Sequence, residues 1–70
     1  RILHIHRNVP GVLSEINTTL AGANINILGQ YLSTNEHIGY VVLDVDKKIS
    51  NHAFGLLKNV KETLRVRLLY

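Results

Sequence analysis

The chain has 70 residues, 46% of them hydrophobic, and a formal net charge of +3. This is the size of one small domain, and the composition is that of a folded chain rather than a disordered one. The absence of cysteine excludes disulfides and thiolate–metal sites, and no apolar run approaches the ~20 residues of a membrane-spanning helix.

Arg1 to His6 alternates and predicts a strand, with Leu3 and Ile5 on one face and Ile2, His4 and His6 on the other. Arg7-Asn8-Val9-Pro10-Gly11 breaks the alternation. Asn is a favoured helix cap and Pro suits a first helical turn. Val12, Leu13, Ile16 and Leu20 then recur at helical spacing, so a helix is expected from about Pro10 to Ala21, with Gly22 as its stop. Asn24 to Ser33 predicts a second strand, Thr34-Asn35-Glu36 a tight turn, and His37 to Val45 a third strand; the short link makes these two a hairpin. Asp46 is placed to cap a second helix, on which Ile49, Ala53, Leu56, Leu57 and Val60 form one apolar stripe. A last strand is expected from Thr63 to Tyr70, with Leu64, Val66 and Leu68 on one face and Arg65 and Arg67 on the other.

The order β-α-β-β-α-β predicts an α+β, ferredoxin-like plait: a four-stranded antiparallel sheet with two helices on one face. Right-handed crossovers give strand order 4-1-3-2, with strands two and four at the edges. Residues 1–70 form a single domain. The start at Arg1, without a signal-peptide pattern, reads as a fragment of a longer protein, and the lack of cysteine fits a cytoplasmic setting.

This plait hosts many functions, so two places carry the functional information. At the turn after strand one, the first N–H groups of a helix lack intrahelical partners and favour an anion. Gly11 permits close approach to the backbone, and His6 and Asn8 flank the point with an imidazole and an amide. The same residues also read as plain capping: Asn8 caps, Pro10 starts the helix, and His6 is a strand residue. The second place is strand two, a free edge with few charges. Pairing it with its own copy removes an aggregation hazard and gives a self-complementary, eight-stranded contact. Asn26, near the start of that strand, would then face the His6–Asn8 turn of the other copy.

The run His4-Ile5-His6-Arg7-Asn8-Val9-Pro10-Gly11-Val12-Leu13 resembles the first strand and turn of an ACT domain. Asn24-Ile25-Asn26-Ile27, Gln30-Tyr31-Leu32, Gly39-Tyr40-Val41-Val42 and the terminal Arg65-Val66-Arg67-Leu68-Leu69-Tyr70 are similar to the C-terminus of the serine-inhibited bacterial D-3-phosphoglycerate dehydrogenases. The resemblance implies a non-catalytic domain that binds L-serine between two copies, paired through helix one and strand two, in feedback inhibition of serine synthesis. It implies ligand contacts at His6, Asn8, Pro10 and Gly11 of one copy and Asn26 of the other. NAD would belong to preceding domains, and this chain would carry no cofactor. Arg7 departs from the pattern, since such domains often have an acidic residue there.

Three other readings have weaker support. His4 and His6, joined by His37 or His52, could bind zinc or copper, but no carboxylate support is evident. An RNA-binding plait needs stacking aromatics on the central strands, where the first strand offers only His4 and His6 and the third Tyr40, and the basic residues are scattered. His6 as a general base lacks a visible orienting partner. Within the family, the domain could instead sense another amino acid, such as glycine, threonine or valine.

Overall fold

A computed structural model describes residues 1–69. Its elements are β1 (Ile2–Arg7), α1 (Val12–Gly22), β2 (Ile27–Thr34), β3 (Ile38–Val45), a 3-10 turn (Lys47–Ile49), α2 (Ser50–Leu57) and β4 (Thr63–Leu68). The strands form one antiparallel sheet in the order β2-β3-β1-β4, the expected plait with β2 and β4 at its edges. Tyr70, placed in the last strand from sequence, lies outside the described residues.

Alternation decides which face of the sheet is covered. Ile2, Val41, Leu43 and Val45 point inward and are buried with Val12, Ile16 and Leu20 of α1 and Ala53 and Leu57 of α2. Both helices therefore cover the same face. The inward face of β1 also carries His4 and His6, which are 0% and 3% exposed.

Local chemistry moves several boundaries from their sequence positions. Helix α1 begins after Gly11, whose φ of 93° lies in the left-handed region, and no side chain caps it. The expected Asn8 cap is not made. The helix runs through Gly22 and stops at Asn24, which takes φ 62°. Asn24 N–H donates to the Ala21 carbonyl and Ile25 N–H to the Leu20 carbonyl, both at 2.9 Å. This pair of bonds closes a helix through a left-handed residue, with Leu20 and Ile25 both buried beneath it. Because Asn24 is used in that cap, β2 starts at Ile27 rather than at Asn24. Asp46 caps as expected, accepting from Lys48 N–H at 2.9 Å, but what it caps is the 3-10 turn leading into α2.

Two bulges re-aim the edge strands. Between β2 and β3 the register passes from Ile27 to Gly29, so Leu28 is extra and stands 65% exposed. Between β1 and β4 it passes from Ile5 opposite Arg65 to His6 opposite Thr63. Leu64 is thereby pushed out, and Thr63 takes the inward place beside the histidines, contrary to the simple alternation of Leu64 with Val66 and Leu68.

Candidate functional site

The turn from β1 into α1 is held by two asparagines. Asn8 N–H donates to the His37 carbonyl at 2.9 Å, and Asn8 Nδ2 donates to the Asn35 carbonyl at 2.6 Å. A carbonyl can only accept, so the amide nitrogen must face Asn35, and Oδ1 is left as a free acceptor. Asn35 Oδ1 in turn accepts from His37 N–H and Ile38 N–H, each at 2.8 Å. The β1–α1 turn and the β2–β3 loop are thus tied together by hydrogen bonds. The sequence pattern places Asn35 only in a turn; the tendency of Asn to bond its own following backbone is the signal that marks it.

Pro10 and Gly11 complete the turn on the surface. A Cβ built on Gly11 meets nothing within 4 Å, so the residue is required for its positive φ rather than for lack of room. The first N–H groups of α1 receive no side-chain cap, which leaves donors and the positive end of the helix dipole open at this point.

Beneath the turn, His6 lies on the inward face of β1. Its Nδ1 is 3.3 Å from His4 Nδ1, with ring centroids 5.3 Å apart and planes tilted by 36°. His4 Nε2 is 2.9 Å from Thr63 Oγ1, which itself lies 2.6 Å from the Val60 carbonyl and 3.3 Å from that of Leu57. Burial first, and the neighbouring His6 second, together lower the His4 pKa from 6.5 to about 4, against a smaller upward pull from the Leu57 backbone. Burial also lowers the His6 pKa. Both rings are therefore neutral near pH 7. The far side of the His6 ring faces Gly39: a Cβ there would overlap Nε2 and fall 2.9 Å from Cε1. A glycine inside a strand signals such a close approach.

No other histidine, cysteine, aspartate or glutamate makes a group of three with these rings among the described residues. His37 and His52 are exposed, and His37 lies 3.5 Å from Glu36.

Asn26 is not near this cluster. Strands β1 and β2 each run antiparallel to β3, hence parallel to one another. Thr34 is level with Gly39 and His6, whereas Ile27 is level with Val45 at the far end of the sheet. At about 3.3 Å per residue, the two ends are roughly 20–25 Å apart. Asn26 is exposed in a shallow depression of about 300 Å³ lined by Ala21, Asn24 and Ile25. A second depression, about 380 Å³, is lined by Arg1, Asp44, Val45 and Lys47. Neither includes His6 or Asn8. One chain therefore brings together His6, Asn8, Pro10 and Gly11, and leaves Asn26 apart.

Comparison with known proteins adds a family pattern. Residues 2–65 match the family model described as an AHAS small subunit-like ACT domain. The whole chain is 46% identical to a part of the D-3-phosphoglycerate dehydrogenase of Haemophilus influenzae and 43% identical to that of Escherichia coli K12, covering 17% and 18% of those proteins. The D-3-phosphoglycerate dehydrogenase of Dictyostelium discoideum is 40% identical over the full chain. The chain thus spans about a sixth of the length of these relatives. Among solved structures, the ACT domain from the GTP pyrophosphokinase of Chlorobium tepidum superposes with a TM-score of 0.78 at 16% identity, covering 99% of this chain and 83% of that one. At that identity the likeness concerns the fold.

Proposed function

The chain belongs to the ACT-domain family, and from that membership we propose that residues 1–70 are a regulatory domain that binds L-serine between two copies of itself. The parent protein is then a D-3-phosphoglycerate dehydrogenase, in keeping with the relatives that match the full chain. NAD and the dehydrogenase reaction belong to its other domains, in the cytoplasm. This domain contributes regulation and no catalytic group.

The observation that carries the reading is the separation of the polar set. His6 and Asn8 lie at one end of the sheet and Asn26 at the other. Strand β2 is a free edge that exposes Leu28, Tyr31 and Leu32 at 65%, 60% and 50%. Such an edge is a ready template for pairing with another chain. Antiparallel pairing of β2 with its copy, about a twofold axis through the strand centre, sets Ile27 of one copy opposite Thr34 of the other. Asn26 of the partner subunit then arrives beside Thr34 and Asn35, next to Asn8. The same operation makes an eight-stranded sheet and two equal sites.

An α-amino acid suits the groups assembled there. Its carboxylate meets the uncapped N–H groups at the start of α1. Its ammonium meets Asn8 Oδ1 and the amide oxygen of Asn26 of the partner subunit. A ligand that bridges two domains stabilises whichever arrangement closes the site. It inhibits only in so far as it binds the inactive arrangement more tightly than the active one.

The test is calorimetric titration of the chain with L-serine, glycine, L-threonine and L-valine, beside sedimentation analysis. We expect a dimer that binds two serines, and an Asn26→Ala variant at least about 10-fold weaker. Binding to a monomer overturns the shared site. Preference for another of the amino acids overturns serine as the ligand.

A further inference from the structure

We infer that Thr63 and His4 fix the proton on His6, so that His6 Nε2 meets a ligand as a hydrogen-bond acceptor and selects a donor group there. The argument counts protons along a chain of contacts. The Thr63 hydroxyl has one proton and two lone pairs. Two backbone carbonyls lie on one side of it, Val60 at 2.6 Å and Leu57 at 3.3 Å. Carbonyls only accept, so the hydroxyl proton is committed to them. Toward His4 the Thr63 oxygen must accept, and His4 Nε2, 2.9 Å away, must carry its hydrogen. A neutral imidazole has one N–H, so His4 Nδ1 is bare. The 3.3 Å contact between the two Nδ1 atoms then needs its hydrogen from His6. With its single proton on Nδ1, His6 keeps a lone pair on Nε2.

Nε2 is also not completely enclosed. The His6 residue is only 3% exposed, and Nε2 makes no hydrogen bond within the chain. Yet among the described residues no buried side-chain nitrogen or oxygen lacks a partner. The exposed sliver of His6 therefore includes this nitrogen, although one side of the ring packs against the buried Gly39. Both rings remain neutral at pH 7 because they are buried.

For the serine reading, on which this consequence rests, the ligand's orientation follows. A carboxylate oxygen facing His6 Nε2 would set lone pair against lone pair. The ammonium or the hydroxyl must take that place, and the carboxylate is left to the start of α1. Thr63 and His4 are positioning residues: they touch no ligand, and they act through the His6 proton. Thr63 reaches this place only because the bulge opposite His6 turns it inward.

Long-range ¹H–¹⁵N correlation NMR of the histidine-labelled chain at pH 7.5 tests the relay without ligand. We expect opposite tautomers, with the proton on Nε2 in His4 and on Nδ1 in His6. A His6 protonated on Nε2 overturns the relay, even if serine binds. The predicted tautomers in a chain that binds no serine keep the relay and reject the serine reading. In titrations, Thr63→Val should weaken serine binding about 5-fold and Thr63→Ser, which keeps the hydroxyl, should restore it. Equal affinity in the folded Thr63→Val and unsubstituted chains removes Thr63 from any role in recognition.

Discussion

Replacing Gly39 with alanine tests the packing of the histidine cluster directly. The added Cβ would overlap His6 Nε2 and lie 2.9 and 3.1 Å from Cε1 and Cδ2. The ring cannot swing aside freely, because it is buried and its other edge is bonded to His4 at 3.3 Å. Forcing a methyl into a packed site costs about 1–3 kcal/mol. Losing the bond between the rings adds about 1 kcal/mol. The smaller entropy of the unfolded alanine chain returns about 0.4–1 kcal/mol. The net cost is about 1–3.5 kcal/mol, and for a domain of this size each 1 kcal/mol lowers Tm by roughly 4–8 °C. The control is Gly55→Ala, within α2, where the new methyl meets nothing within 4 Å. It should gain roughly 0.5–1 kcal/mol and raise Tm by a few degrees. Thermal melts followed by circular dichroism, at one protein concentration, give both values. If Gly39→Ala melts at or above the unsubstituted chain, the close approach of His6 to the β3 backbone is wrong.

Stability should depend on acid through His4. Above pH 6.5 the ring is neutral whether folded or unfolded and makes no difference. Between 6.5 and about 4 the unfolded chain takes up a proton that the folded chain refuses, so stability is lost as pH falls. The full gap is worth about 3 kcal/mol at 1.36 kcal/mol per pH unit. Urea titrations at pH 7.5, 6 and 5 should show the fall, and His4→Gln should flatten it; an unchanged slope in that variant refutes the assignment. At Asn24, alanine should cost about 1 kcal/mol, because the residue sits at φ 62°, while glycine should be neutral or stabilising; thermal melts that rank them otherwise exclude the left-handed cap. At the free edge, Leu32→Lys should shift the chain toward monomer in sedimentation and abolish serine binding together with dimerisation. A stable serine-binding dimer in that variant places the interface elsewhere.

How far the sequence could be read depended on how local the determinant was. Strand and helix order came from alternation and from the 3.6-residue spacing of Val12, Ile16 and Leu20, and the structure has that order. Boundaries failed where one residue served two purposes. Asn24 reads as strand by position, yet its backbone closes α1, and Asn8 reads as a helix cap, yet its amide bonds the Asn35 carbonyl. Of the candidate site, the His6–Asn8–Pro10–Gly11 turn was visible because those residues are consecutive or nearly so. Asn35, Gly39 and Thr63 are not legible there, since they reach the turn and its histidines from a distant loop and from two other strands.

By itself, the sequence determined the plait, the uncovered polar turn and the exposed β2 edge, because hydrophobic period and turn chemistry act over a few residues and are written in order along the chain. Only the tertiary structure decided that His4, His6 and Thr63 form one hydrogen-bonded line, and that Asn26 lies at the opposite end of the sheet from Asn8. Strand register fixed both. A single extra residue opposite His6 turns Thr63 inward, and the direction of two strands relative to a third separates the asparagines. Pairing energies across strands set those relations, and no window along one strand contains them.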